Sequence, residues 1–516
     1  MRKRHIRILG LAILMAAAAV SFAAGQQAQD RSPGYKEFVT AMKIADLSAR
    51  AQELERIKAA YPGARFLSLL ENGLRNARIG LAGSVNDILE LQKPGFQAAA
   101  GIGRVFSYYF ASMDILDHPN LARFDKKRVT EAVIAYCQEG LKLAKDPDFL
   151  ASILPDPMKY LKIYTPNLYI AEALAFVNED SPKMARDALL SYEKNGGLMD
   201  KTYYHALGRV NLMLGKDKEA YDAFFNAAIE NYRDSLDRAR ELYRRLHGGL
   251  GGFDAALEAG QKKIPFTPTP AKPGPDWKGK AVLAELFTGS ECPPCLAADL
   301  GFDGLIDTYD PKYLAVLEYH LPIPKPDPMI NHATRQRAVY YGVQSTPTSF
   351  FDGKKAATGG GDRAMAREKY NGFKAEVAAR LTEMPAVNVT VRAAAKGDKV
   401  EVSFEADKIG PGADYNLALV QAEEKFSGGN GIIFHKMVVR DFVVLDDAAL
   451  AAKKYVIDLV AAEAAAAERL DRYEKESSYT FPERHHKIAR NMLKVVFFVQ
   501  EKTSKEVLNA AVCDVK

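Results

Sequence analysis

Two cysteines separated by two prolines, Cys292-Pro293-Pro294-Cys295, are the residues of this chain best suited to chemistry. An apolar run before them, Ala281 to Phe287, reads as a buried strand, and a polar turn, Thr288 to Glu291, follows it. After them an amphipathic helix opens, with Leu296, Leu300, Leu305 and Ile306 on one side. A cysteine at a helix N-terminus meets unpaired backbone N–H groups and the positive end of the helix dipole, and both favour thiolate over thiol. Such surroundings lower a thiol pKa from about 8.5 to roughly 3.5–7.5. Proline suits the first helical position, where its missing N–H would have no partner. Two intervening residues keep Cys295 within one helical turn, close enough to attack a mixed disulfide on Cys292. A bare pair at this spacing also makes half of a zinc site, so spacing alone leaves redox and metal chemistry open.

The elements that must position the pair narrow the choice. Residues 313 to 320, YLAVLEYH, form a second buried-type strand. A helical segment follows, then Tyr341-Gly-Val-Gln-Ser-Thr-Pro-Thr-Ser-Phe-Phe-Asp-Gly353, a Thr-Pro step entering a strand that ends at an Asp352-Gly353 hairpin turn. A final helix runs from Arg363 to Leu381. This order of strand, dithiol helix, strand, helix, Thr-Pro, hairpin and helix resembles the thioredoxin fold over roughly residues 276 to 383, about a fifth of the chain. The resemblance implies a redox-active Cys292–Cys295 disulfide with Cys292 as the exposed nucleophile and Cys295 as the resolving thiol. It also implies a cis Thr346-Pro347 peptide packed against the pair, its backbone aligning the substrate disulfide; a cis bond is uncommon even before proline.

The departures from that pattern are informative. Glu291 stands where thioredoxins commonly carry a tryptophan, and it opposes the thiolate slightly. The family's buried aspartate position is occupied by Leu286, which leaves Glu285, one position off, as the candidate proton shuttle; otherwise a lysine or water satisfies it. His320 ends the second strand on the dithiol side, where it would tune Cys292 or join both sulfurs in binding copper, as some thioredoxin-like chaperones do. The long loop 321 to 335 and the ELFTG before the cysteines look more like secreted, outer-membrane-associated thioredoxin-like proteins with a β-domain behind the redox domain.

The chain opens with a basic start, Met1 to Arg7, about 13 apolar residues from Ile8, and small residues up to Ala24. This pattern describes a signal peptide over residues 1–24, too short in its apolar part for a membrane anchor. Removing residues 1 to 23 takes four basic residues and no acid, so the formal charge falls from +5 to about +1. Too little basic charge then remains for nucleic-acid binding. An exported protein without a membrane span after cleavage is expected, periplasmic or outer-membrane-associated and extracellular. Four cysteines are too few for a disulfide-stapled scaffold. Cys137 and Cys513 are expected as buried inert thiols, with a bridge between them the open alternative.

The fold class expected is multidomain: an α-helical region, a thioredoxin-like α/β domain, and a C-terminal β-sandwich with a helical insertion. Residues 30–262 read as helices of 12 to 20 residues. Ala185-Arg-Asp-Ala188-Leu-Leu returns 35 residues later as Ala220-Tyr-Asp-Ala223-Phe-Phe. With Leu207-Gly208, Leu214-Gly215, Phe224 and Ala227, residues 165–246 resemble tetratricopeptide repeats, whose stacked pairs share one core. Residues 263–280, rich in proline, read as a semi-rigid linker. Residues 385–516 alternate with period two in six stretches, interrupted by a helix-rich insertion at 446–475. Gly428 to Gly431 reads as a hairpin turn rather than a phosphate cradle, and His485-His486 as a solvated pair. The function expected is thiol–disulfide exchange on protein disulfides or thiols, with a membrane or periplasmic redox partner and no cofactor or resident metal. A copper or metal chaperone, or a non-catalytic interaction protein, are the competing classes.

Overall fold

Seven consecutive buried residues, Val282–Thr288, form strand β1 at the middle of an eight-stranded sheet, and the rest of the C-terminal half is built outward from it. The structure, a computed structural model, describes residues 33–153, 161–162, 165–275, 277–356, 359–407, 410, 412–477 and 479–516. The expected leader at 1–24 lies outside these residues. The chain divides into two units, Met1–Asp254 and Ala255–Lys516.

The first unit contains helices and no strand among its described residues, running from Tyr35–Met42 to Ser235–His247. Small residues let the helices approach closely where the sequence repeats. Ala185, Ala188, Ala220, Ala223 and Ala227 are buried. A Cβ on Gly208, in helix Lys201–Met213, would lie 2.8 Å from the Phe224 ring of helix Asp217–Ala228. Asp200 caps the first of these helices by accepting the Thr202 and Tyr203 N–H groups.

The second unit is mixed α/β. Strands β2 (Leu314–His320), β3 (Thr348–Phe351) and β4 (Lys354–Lys355) belong to the dithiol region. Strands β5 (Val389–Lys396), β6 (Lys399–Ala406), β7 (Ala413–Lys425), β8 (Phe434–Val444), β9 (Lys454–Asp458), β10 (Leu493–Glu501) and β11 (Val507–Asp514) follow. The large sheet has the order β11-β10-β7-β8-β2-β1-β3-β4, and β5-β6-β9 form a second sheet. β1 and β2 are parallel with Thr288 opposite His320, and β2 meets β8 in parallel at Glu318 and Val438. The boundary expected between residues 383 and 385 therefore separates strands of one continuous sheet. Parallel strands buried on both faces read as unbroken apolar runs, and such runs do not reveal which strand lies beside which.

Sandwich-type packing is present on part of that sheet. Val400, Val402 and Phe404 of β6 share a core with Leu417, Leu419, Val495 and Phe497, and the Phe404 and Phe497 rings lie 4.9 Å apart. The insertion is not purely helical, since β9 sits between helices Asp447–Ala452 and Leu459–Ser477 and pairs with β6. The proline-rich stretch is not a free linker either. Ile264 and Phe266 join the core of the second unit, Phe266 stacks on Tyr370 at 4.8 Å, and the Ala271 N–H donates to the Thr308 carbonyl. The apolar residues between the prolines are what dock it.

Alternation along β1 sorts the side chains onto two faces. Ala284, Leu286 and Thr288 face helix Leu296–Thr308, as does Phe351, whose ring lies 5.8 Å from that of Phe302. Glu285 and Phe287 face helix His332–Tyr341 instead.

Candidate functional site

The dithiol sits where β1 ends and the first turn of helix begins. Gly289 starts the turn; a Cβ there would lie 2.9 Å from the Leu321 and Ile323 carbonyl oxygens, so this close approach requires glycine. The Cys292 N–H donates to the Gly289 carbonyl at 3.0 Å, and the Cys295 N–H donates to the Cys292 carbonyl at 2.9 Å. Cys292 is extended, Pro293–Cys295 forms a 3-10 turn, and the α-helix starts at Leu296. A Cys292–Cys295 disulfide closes this turn, with Cα atoms 5.3 Å apart.

The Thr346-Pro347 peptide is cis, and so is Ile323-Pro324, which no reading of the sequence anticipated. The Thr346 hydroxyl lies 3.3 Å from Cys292 Sγ and donates to the Ile323 carbonyl at 3.0 Å. Pro347 is buried beside the pair, 3.0 Å from the position a Gly360 Cβ would take. Two glycine-rich segments close over the turn. The Gly361 N–H donates to the Pro294 carbonyl at 2.8 Å, and the Gly361 carbonyl accepts from Ala297 N–H. On the other side the Asn430 N–H donates to the Ser290 carbonyl and the Gly429 N–H to the Glu291 carboxylate, both at 2.9 Å. Gly428 to Gly431 thus belongs to the connection between β7 and β8 and also holds the dithiol turn.

These covers correct one expectation. Cys292 is 1% exposed and Cys295 fully buried, so the first cysteine is not an exposed nucleophile in this form. The fold brings the disulfide, Thr346 and Pro347 together; it does not bring Glu285. That carboxylate lies on the opposite face of the sheet, 2.6 Å from Arg337 Nη2 and within hydrogen bonds of the Tyr341 and Tyr319 hydroxyls. It neutralises a buried guanidinium, and its hydrogen bonds run to Arg337, Tyr319 and Tyr341 rather than to the dithiol.

His320 sits on the dithiol face, fully buried, and its Nδ1 lies 2.9 Å from Asp327 Oδ2. Asp327 also accepts the Ser290 N–H at 2.6 Å and the Met329 N–H at 2.8 Å. Burial alone would raise its pKa, but His320 and the two backbone donors hold it below the usual carboxylate range. Asp327 is therefore the anionic brace of the turn before Cys292. His435 packs edge-on to His320 at 5.0 Å, and burial pushes its pKa down to about 3.

More buried polar groups than the sequence suggested line this face. Asp299 and Asp303 are buried on the dithiol helix and Glu318 on β2. The only signals for them were carboxylates four apart on one helix and an acid inside the apolar strand LAVLEYH. His485 is buried against Glu424 rather than solvated. Cys137 and Cys513 carry free thiols, the first fully buried with its pKa pushed up by desolvation, the second half-buried and raised to about 11. Among the described residues no three His, Cys, Asp or Glu side chains converge to hold a metal ion. No helix among them is long and apolar enough to cross a membrane. Comparison with protein-family models, with curated proteins and with solved structures gives no match.

Proposed function

We propose that this chain is an exported thiol–disulfide oxidoreductase working through Cys292 and Cys295 on a thioredoxin-like framework. The observation that carries the reading is the disulfide in the first turn of a helix with the cis Thr346-Pro347 step against it, the Thr346 hydroxyl 3.3 Å from Cys292 Sγ. A thiolate at Cys292 would be stabilised by the positive end of the helix dipole and by that hydroxyl once it turns its proton from the Ile323 carbonyl to Sγ. Cys295, one turn deeper, is placed to displace a substrate from Cys292. Because Cys292 is covered, a reactant reaches Sγ only when the segments over it give way. The direction of net electron flow follows from the reduction potential, in which about 30 mV corresponds to 1.4 kcal/mol.

The helical first unit, in this reading, selects protein partners through its tetratricopeptide-like stretch 165–246 and so raises the local concentration of a bound substrate. The test of the main reading is reduction of insulin by dithiothreitol. The chain should accelerate it, and Cys292→Ser should remove the acceleration. A Cys292→Ser protein as fast as the parent overturns the proposal.

A further inference from the structure

We propose that residues 322–326 form a redox-controlled strap over Cys292, latched in the disulfide form by a hydrogen bond to the Ile323 carbonyl and released when Cys292 is reduced. The proposal rests on the exchange chemistry above and concerns how access to its sulfur is controlled.

The segment Leu321-Pro-Ile-Pro-Lys-Pro-Asp327 follows β2 directly. Its ends hang on the turn before the cysteines: the Leu321 N–H donates to the Thr288 carbonyl at 2.8 Å, and Asp327 accepts the Ser290 N–H at 2.6 Å. Between these anchors it passes close to Cys292. The point a Gly289 Cβ would occupy lies 2.9 Å from the Leu321 and Ile323 carbonyl oxygens and 3.5 Å from Cys292 Cβ. The middle of the segment is lightly held. Pro322, Pro324 and Pro326 have no N–H to give, and the Ile323 N–H is spent within the segment on the Leu321 carbonyl. Pro324 and Lys325 are exposed, while the Ile323 side chain packs, partly buried, against the core. Among the described residues, the hydrogen bond that ties this middle to the rest of the fold runs from the Thr346 hydroxyl to the Ile323 carbonyl at 3.0 Å.

That hydroxyl has one proton and two acceptors in reach, the Ile323 carbonyl and, at 3.3 Å, Cys292 Sγ. A sulfur in a disulfide is a weak acceptor, so in the oxidised form the proton goes to the carbonyl and the strap is shut. A Cys292 thiolate reverses the order, because a hydrogen bond to an ionised acceptor is about twice as strong as one between neutral groups. The Ile323 carbonyl then loses its donor. Left unpaired where it lies it costs free energy, and it regains a partner by lifting into water. The disulfide form thus hides Cys292, at 1% exposure, and the reduced form presents it. The two directions of exchange differ accordingly: the oxidised chain resists a small thiol, whereas the reduced chain meets its disulfide substrate with the strap released.

Reduction supplies the trigger. A thiolate of dithiothreitol, its proton lost to solvent, attacks Cys292 Sγ; the S–S bond breaks, and Cys295 leaves and takes up a proton that came from solvent. The second thiolate of the reagent then displaces Cys292, which leaves as a thiolate while the reagent closes its own disulfide. Two electrons have passed to the protein. When a substrate disulfide reoxidises the pair, Cys292 becomes a weak acceptor again and the hydroxyl relatches Ile323.

The test uses the full chain and two readouts. The first is the rate at which dithiothreitol opens the disulfide, followed by quenching and alkylation. Thr346→Val should raise it by about 2- to 10-fold, the worth of one neutral hydrogen bond, and Thr346→Ser should stay near the parent. The sign is decisive, since a hydroxyl that only stabilised the departing thiolate would make Thr346→Val slower. The second readout is hydrogen exchange of the Ile323 amide. In the parent it should quicken about tenfold on reduction, with the Met329 amide, held by Asp327, unchanged; in Thr346→Val it should be fast in both states. Ile323→Ala, which frees the side-chain contact and keeps the hydroxyl, should also open faster and decides the matter if Thr346→Val fails to fold. Folded variants no faster than the parent overturn the proposal, as does parent exchange that ignores reduction. A strap that responds in a chain unable to reduce insulin defeats only the protein-substrate reading; insulin reduced by a chain whose strap is indifferent defeats only the strap.

Discussion

Replacing Glu285 with Gln separates a structural role from a catalytic one, because the substitution removes charge and almost nothing else. Glu285 is fully buried, and the side chain of its partner Arg337 is 3% exposed. Arg337 also bonds Gln500 and the Tyr341 hydroxyl, but Glu285 is the acid in its hydrogen-bond set. Glu285→Gln would leave a desolvated guanidinium without a counter-charge, a loss of about 3–5 kcal/mol for breaking a buried pair from one side. For a unit of this size each kcal/mol moves the melting temperature by roughly 2–4 °C, so a fall of about 6–20 °C is expected in thermal unfolding. The double variant Glu285→Met with Arg337→Met should recover much of that loss, since removing both partners leaves no orphaned charge. Insulin reduction per folded molecule, measured well below the transition, should stay within about twofold of the parent. A melting temperature unchanged while the rate falls tenfold or more would refute the assignment and return Glu285 to the chemistry.

Further outcomes follow from the same geometry. Asp327→Ala removes the acceptor of the Ser290 and Met329 N–H groups and of His320, and should cost about 2–4 kcal/mol in urea unfolding. Asp327 has a depressed folded pKa, so its stabilisation is present above the unfolded value near 3.9 and is lost as pH falls below it; Asp327→Ala should flatten that acid limb. His435 stays neutral down to about 3 when folded, so stability should decline as pH falls from about 6.5, where the unfolded imidazole takes its proton; His435→Gln should lessen the decline between urea midpoints at neutral and mildly acid pH. Gly208→Ala drives a methyl to 2.8 Å from the Phe224 ring and should cost about 1–3 kcal/mol by thermal unfolding, without changing reduction of a small disulfide.

The sequence was informative where period and spacing are local. β1, β2 and the dithiol helix lie where apolar runs and the Pro-Pro insert placed them, and the Asp352-Gly353 turn has both residues at positive φ, 48° and 76°. The helices of the first unit and the period-two strands after residue 385 were legible for the same reason. Long-range pairing was not legible. Nothing in Phe434–Val444 announces that it lies beside β2, so one sheet was divided into two domains. Face assignment failed at Glu285 by a single residue, since period two sends adjacent positions to opposite sides. The packing around the dithiol turn depends on Gly360, where a Cβ would fall 1.5 Å from the Pro294 carbonyl, and on the distant loop at Gly428, where one would fall 2.4 Å from the Ser290 carbonyl. Neither segment carries a local sign of where it docks.

The most direct measurement is covalent. The Cys295→Ser chain, reduced and incubated with oxidised insulin, should stall as a mixed disulfide, and peptide mass mapping should place the bond at Cys292. A Cys292→Ser, Cys295→Ser chain should form none. Linkage found only at Cys137 or Cys513, or no adduct with folded Cys295→Ser protein, would contradict the central claim that Cys292 is the sulfur that meets the substrate.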